Sequence, residues 1–320
     1  MSKALKPTQV AVDHRAWQAD TVDDRAAWYQ SLPEEFVAEL RAYLADLAPE
    51  PRAVKELWIT GQDRARWSRH LASARRTLEA GRGFVILERL PVEGCSQRES
   101  TALYWLIGQL LGDPVQQNVE GTLLYDVRDT GQNVAAGARF SVTNYESSFH
   151  TDNSFGATIV DYVGLLCLRT AKLDGLSQMV SGYAAHDVLL RENPDVLKTL
   201  FHEFHVDRRG GLREGESPTV RHPVFARLGP GLIIRYLRYW IEAGHEKVGQ
   251  PLTPAQRHAL DVFDDVLRRP ELRAEFSLDP GQMYFINNRW ILHNRTDFFD
   301  YPEPERQRHL VRLWLQARSM

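Results

Sequence analysis

The spacing of apolar residues changes character about a third of the way along the chain. In the first third it is helical: Phe36, Val37, Leu40, Tyr43, Leu44 and Leu47 recur at three- and four-residue intervals, which places them on one face of a helix. Ser31-Leu32-Pro33-Glu34, just ahead of them, has the form of a capping box. A second helix is predicted over 63–80, stopped by Gly81, and a third over 98–111, ended by Gly112. Between these two, Gly83-Phe84-Val85-Ile86-Leu87 reads as a buried strand.

From Leu123 onward short apolar runs alternate with Gly, Asn and Asp. Strands are predicted over 123–127, 159–168, 231–236, 282–286 and 309–315, with helical inserts over 184–200 and 254–268. Many short strands with turn chemistry between them indicate a barrel or jelly roll. The polar, glycine-rich stretch 207–218 reads as a hairpin loop or lid. The expected architecture is mainly β with helical additions. Residues 1–82 form a helical extension packed on a core of residues 83–320, the whole a single structural unit. Large aromatics such as Tyr236, Trp240 and Trp290 are assigned to that core.

The last strand carries an anomaly. Arg308, Leu310 and Arg312 share one face by the period of two, while Val311 and Leu313 point the other way. Two guanidinium groups facing a barrel interior are costly unless each meets an anion.

Composition narrows the setting without naming a chemistry. Apolar residues make up 43% and charged residues 25%, with no run near the ~18 apolar residues of a membrane span. No secretory signal is legible at the amino end, and two cysteines suit a reducing compartment, so cytoplasm is the expectation. A net charge of -3 gives no electrostatic reason to expect nucleic acid. The partner expected is a small molecule; oligomeric state stays open, a homo-oligomer included.

Chemistry enters with Ser147-Ser148-Phe149-His150-Thr151-Asp152. A His-x-Asp pair on extended chain puts both side chains on one face, where both reach a single metal ion. Two imidazoles and one carboxylate on one side of an octahedral iron leave three positions open, the arrangement of non-haem Fe(II) oxygenases. Spacing alone does not decide. With eleven histidines and 42 acidic residues in 320 positions, about 1.4 His-x-acid triplets arise by chance. Two are present, the other being His205-Val206-Asp207.

Four segments in order break the tie: Phe149-His150-Thr151-Asp152, Ser177 to Gly182, the pattern NN-x-x-x-LH-x-RT from Asn287, and Arg308 to Leu315. Together they resemble the taurine dioxygenase and clavaminate synthase-like group of Fe(II)/2-oxoglutarate oxygenases, over about residues 84–315. The resemblance implies a double-stranded β-helix, a jelly roll of two packed sheets. It implies His150, Asp152 and His293 as the Fe(II) ligands, with 2-oxoglutarate and O2 as cosubstrates. Arg308 falls where the group pairs an arginine with the far carboxylate of 2-oxoglutarate, a task suited to paired guanidinium donors. Ser177 matches a hydroxyl residue bonded to the same carboxylate. Arg312 and Glu146 fall where relatives contact the primary substrate, and opposite charges across a pocket suit a zwitterion such as an amino acid. The retained Asp152 points to hydroxylation rather than halogenation, with desaturation or cyclisation still open. Two rival readings are a zinc hydrolase, which has no need of Arg308, and a non-catalytic metal-binding or sensor protein on the same fold.

Overall fold

The computed structural model describes residues 14–22, 24, 26, 28–46, 52–88, 90, 95–132, 140–208, 215–229 and 231–318. Two sheets dominate. The larger runs Tyr29–Gln30, Phe84–Leu87, Met283–Asn287, Tyr162–Arg169, His309–Ala317 and Gly112–Val115, with Leu124–Val127 also paired to His309–Ala317. Its pairings are antiparallel except that of Tyr29–Gln30 with Phe84–Leu87. The smaller runs Arg273–Phe276, Ser177–Ser181 and Ile291–Arg295, all antiparallel. The chain passes from the larger sheet to the smaller twice, after Tyr162–Arg169 and again at Asn288-Arg289-Trp290, and returns twice, before Met283–Asn287 and before His309–Ala317.

The last strand is apolar on both faces because both are covered. Leu310 and Trp314 belong to the same buried cluster as Met179, Val163 and Ile286. Val311, Leu313 and Leu315 pack outward against Leu103 and Ile107 of the helix Gln97–Leu111. That helix lies close: a Cβ at Gly108 would come within 2.3 Å of Leu313 Cδ2, so only glycine admits the sheet there. Ser96 begins the helix in a capping box, its hydroxyl accepting from Glu99 N at 3.2 Å.

Eight α-helices accompany the strands among the described residues, so the architecture is mixed α and β rather than mainly β. The amino-terminal residues are tied in through Tyr29–Gln30 and through Trp28, whose ring meets those of Phe84 and Phe276. No helix among the described residues is long and apolar enough to cross a membrane.

Several local expectations shift. The first helix is Glu34–Asp46, starting later than a cap at Ser31 requires; the Ser31 hydroxyl instead donates to Glu88 at 3.1 Å. Leu47 lies outside the described residues. The helix expected over 63–80 divides into Gly61–Trp67 and Ala72–Ala80 around a 3-10 turn, where Ser68 Oγ bonds back to Arg64 O. The insert over 184–200 divides at Pro194, which has no N–H to continue the first helix. Residues 207–218 connect the hairpin strands Glu203–Asp207 and Thr219–Pro223, with 209–214 outside the described residues.

Candidate metal centre

His293 sits in the middle of the strand Ile291–Arg295, and a backbone bridge holds His150 beside it. His150 N donates to His293 O at 3.0 Å, and His293 N to His150 O at 2.9 Å. Ser147 extends the contact, its N bonding Arg295 O at 3.1 Å. Thr151 faces the other way and is pinned to Tyr236, donating N–H to its carbonyl at 2.8 Å while its hydroxyl accepts from Tyr236 N at 3.0 Å. Asn288, fully buried, clamps the next residue. It accepts from Asp152 N at 2.7 Å and donates to Asp152 O at 3.0 Å and Val160 O at 2.9 Å. Ser148 and Asn153, on either side of the triplet, adopt φ of 58° and 55°, a conformation uncommon for non-glycine residues and often found at functional sites.

These anchors bring the three side chains together. Asp152 Oδ1 lies 3.5 Å from His150 Nε2 and 3.9 Å from His293 Nε2, and one ligand atom from each residue falls within 4.8 Å of the others. His150 Nδ1 is 2.9 Å from Ser148 O, so that nitrogen carries the proton and Nε2 is left as a lone pair aimed at the cluster. Asp152 Oδ2 accepts from Trp314 Nε1 at 2.7 Å and from Arg312 Nη1 at 3.2 Å. One carboxylate oxygen is thereby tied back and the other presented to the imidazoles.

The charge states suit ligation. Burial opposes ionisation of Asp152, but the Arg312 guanidinium outweighs it and holds the carboxyl well below its usual range. Burial, then the neighbouring His150, lower His293 to about 3 despite Asp152, so its imidazole is neutral at physiological pH. Metal binding requires a deprotonated carboxylate and neutral imidazoles, and Asp152 and His293 are held in those states.

The triad lies in a cleft of about 1080 Å³, counting its open mouth, between the two sheets. Arg308 and Ser177 line it. Arg308 is 5% exposed, and its Nη1 is buried with no hydrogen-bond partner. The guanidinium carbon stands 5.1 Å from the Phe298 ring centre, and burial lowers its pKa from the ordinary value. Such an orphaned cation is expensive unless an anion enters the cleft. A two-histidine, one-carboxylate donor set beside a buried unpaired guanidinium is what iron and a dianionic 2-oxo acid require, so these residues fit that pair.

Arg312 is not the unpaired cation that the strand pattern suggested. Beyond its contact with Asp152, its Nε donates to Gln117 Oε1 at 2.8 Å, and it stacks over Tyr125 and Trp314. Its pairing with Asp152 spans 160 positions and leaves no trace in local pattern. Glu146 does not reach the cleft wall. It is exposed and accepts from Asn294 Nδ2 at 2.8 Å, so it supports a cleft residue from behind. Arg295, missed by sequence reasoning, also lines the cleft. It donates to the carbonyls of Tyr145 and Thr296, and burial followed by Arg308 lowers its pKa to about 9. Trp240 lines the cleft as well as packing into the core. His309 is buried, with Nε2 2.7 Å from Asp126 Oδ1.

The second His-x-Asp pair forms no comparable cluster. Asp207 pairs with Lys247 at 2.6 Å, and His205 contacts Thr219 and His245. Among the described residues, His150, Asp152 and His293 are the one group with metal-binding geometry.

The sequence matches the "Taurine catabolism dioxygenase TauD, TfdA family" over residues 29–314. The chain belongs to this family. FR-33289 synthase of Streptomyces rubellomurinus is 29% identical over 308 residues, covering 95% of this chain and 89% of that protein. Enduracididine beta-hydroxylase of Streptomyces hygroscopicus is 26% identical over 238 residues, 65% of this chain and 64% of its own. Among solved structures, asparagine oxygenase in complex with Fe(II), 3-hydroxyasparagine and succinate shares the fold, with a TM-score of 0.66 at 21% identity over 90% of this chain and 93% of that one. The oxygenase OrfP, in complex with Fe and alpha-ketoglutaric acid, gives a TM-score of 0.66 at 16% identity over 91% and 94%. The protein is thus a dioxygenase of the TauD/TfdA family.

Proposed function

We propose that the protein is an Fe(II)- and 2-oxoglutarate-dependent dioxygenase that hydroxylates an amino acid or close derivative. The observation that carries this is the His150, Asp152 and His293 cluster in one cleft with the partnerless Nη1 of buried Arg308. When bound, iron with 2-oxoglutarate and O2 supplies the oxidising power: one oxygen atom enters a substrate C–H bond as hydroxyl, the other leaves in succinate, and CO2 is released.

The chain's own residues do the rest. His150, Asp152 and His293 hold the metal on one side, Asp152 through Oδ1, the oxygen that Trp314 does not bond. Arg308 and Ser177 take the far carboxylate of 2-oxoglutarate. The apolar cleft walls, Leu165, Trp240 and Trp314 among them, limit water around the reacting groups. Arg312 uses Nε and Nη1 within the protein, while Nη2 forms no hydrogen bond with any described residue, so it can meet the substrate's anionic group without giving up Asp152. Glu146 acts through Asn294, fixing the amide that faces the substrate rather than touching it. The amino-acid class is supported by the named relatives, among them an enduracididine hydroxylase and an oxygenase holding hydroxyasparagine.

The same reading takes the two facing sheets as the halves of a double-stranded β-helix, residues 83–320, with 1–82 as an extension. It places the enzyme in the cytoplasm, where its two free cysteines stay reduced. The test is succinate release from 2-oxoglutarate with Fe(II) and ascorbate over a panel of amino acids and sulfonates. Amino-acid-dependent succinate with a hydroxylated product supports the proposal. Turnover of water-labile esters or amides with Zn(II), and none of 2-oxoglutarate, would replace it.

A further inference from the structure

Three of the donors that line the cleft without bonding a described residue come from Arg308, Ser177 and Tyr284. One is Arg308 Nη1. The others are the hydroxyls of Ser177 and Tyr284, which bond no described residue although the two side chains belong to residues only 7% and 3% exposed.

Tyr284 comes from the middle of the larger sheet, in the strand Met283–Asn287. It is in register with Leu165, which is in register with Arg312 on the next strand. Its ring meets that of Phe276 edge to face at 6.0 Å, and Phe276 is the register partner of Ser177 in the smaller sheet. The Tyr284 ring therefore reaches from the larger sheet across to Phe276, beside the strand that carries Ser177. Asp152, Arg308 and Arg312 all act on it electrostatically. Burial first, and Asp152 next, hold its ionisation above the ordinary range, so it stands as a neutral donor.

Packing does not call for this hydroxyl. Phenylalanine would fill the same space and keep the ring contact, whereas the phenol adds a donor at the cleft wall that no described residue uses. A carboxylate has about four lone-pair sites, enough for a guanidinium and two hydroxyls together. We propose that Tyr284 is a third donor to the far carboxylate of 2-oxoglutarate, beside Arg308 and Ser177. The inference rests on the function proposed above, and it assigns to Tyr284 a share in selecting a five-carbon dicarboxylate over shorter 2-oxo acids.

The experiment is anaerobic calorimetric titration of the Fe(II)-loaded enzyme, wild type and Tyr284→Phe, with 2-oxoglutarate and with 2-oxobutyrate, which lacks the far carboxylate. Loss of one charge-assisted hydrogen bond should raise the 2-oxoglutarate Kd about tenfold or more. The 2-oxobutyrate Kd and the iron stoichiometry should stay within about twofold of wild type. An unchanged 2-oxoglutarate Kd overturns the inference, since the hydroxyl then serves at most an ordered water. Equal weakening of both acids overturns it too, because it would place the effect at the metal or in the packing. If wild type binds no 2-oxoglutarate, the function proposed above falls and this inference with it.

Discussion

Replacing Trp314 by phenylalanine isolates one hydrogen bond of the metal centre. The indole Nε1 donates to Asp152 Oδ2 at 2.7 Å, and both residues are buried, at 6% and 5% exposure. A hydrogen bond to a buried charged group contributes about 1.5–3 kcal/mol, more than its neutral counterpart, because solvent cannot replace it. Two effects then oppose each other. The released carboxylate becomes a more basic ligand, which favours metal; it also becomes free to turn both oxygens toward Arg312, which lies 3.2 and 3.4 Å from them. Orientation should win, since outer partners of metal ligands typically carry about 10- to 100-fold of metal affinity. Fe(II) or Mn(II) affinity of Trp314→Phe, measured by equilibrium dialysis, should fall within that range. Trp240→Phe, which alters the cleft wall without touching Asp152, serves as the control. Metal affinity within about twofold of wild type would show that Trp314 only fills space.

Arg308→Lys should raise the 2-oxoglutarate KM strongly while iron stoichiometry holds, because an ammonium cannot reproduce paired guanidinium donors; Ser177→Ala should shift the same constant less. Asn288→Ala removes the acceptor of Asp152 N and the donor to two buried carbonyls, so urea denaturation should show a loss of about 2–4 kcal/mol. Cys167 is 1% exposed and burial pushes its thiol to about 12, so in the native protein a maleimide at pH 8 should label Cys95 and spare Cys167, as mass spectrometry of digests will show.

What the sequence disclosed depended on whether a residue's role showed in its immediate neighbours. His309–Ala317 was legible because two arginines interrupt an apolar run at a strand period. The smaller sheet was not. Ser177–Ser181 and Ile291–Arg295 are buried throughout, yet Gln178, Asn294 and Arg295 make them look like loop. Asn294 donates to Gln178 at 2.9 Å, and Asn294 and Arg295 line the cleft. A site can break the pattern of the element that carries it. The partner of Arg312 was hidden for a different reason, since Asp152 meets it only through folding. The capping box at Ser31 misled because Glu88, just past the strand Phe84–Leu87, takes its hydroxyl.

The central claim is that His150, and not its sequence look-alike His205, belongs to the iron site. Iron stoichiometry and 2-oxoglutarate-dependent succinate formation, measured side by side on His150→Ala and His205→Ala of equal thermal stability, test it directly. The account predicts that His150→Ala loses both, while His205→Ala keeps both near wild type, its side chain contacting Thr219 and His245. Retention of iron and turnover by His150→Ala, or their loss in His205→Ala, would contradict it.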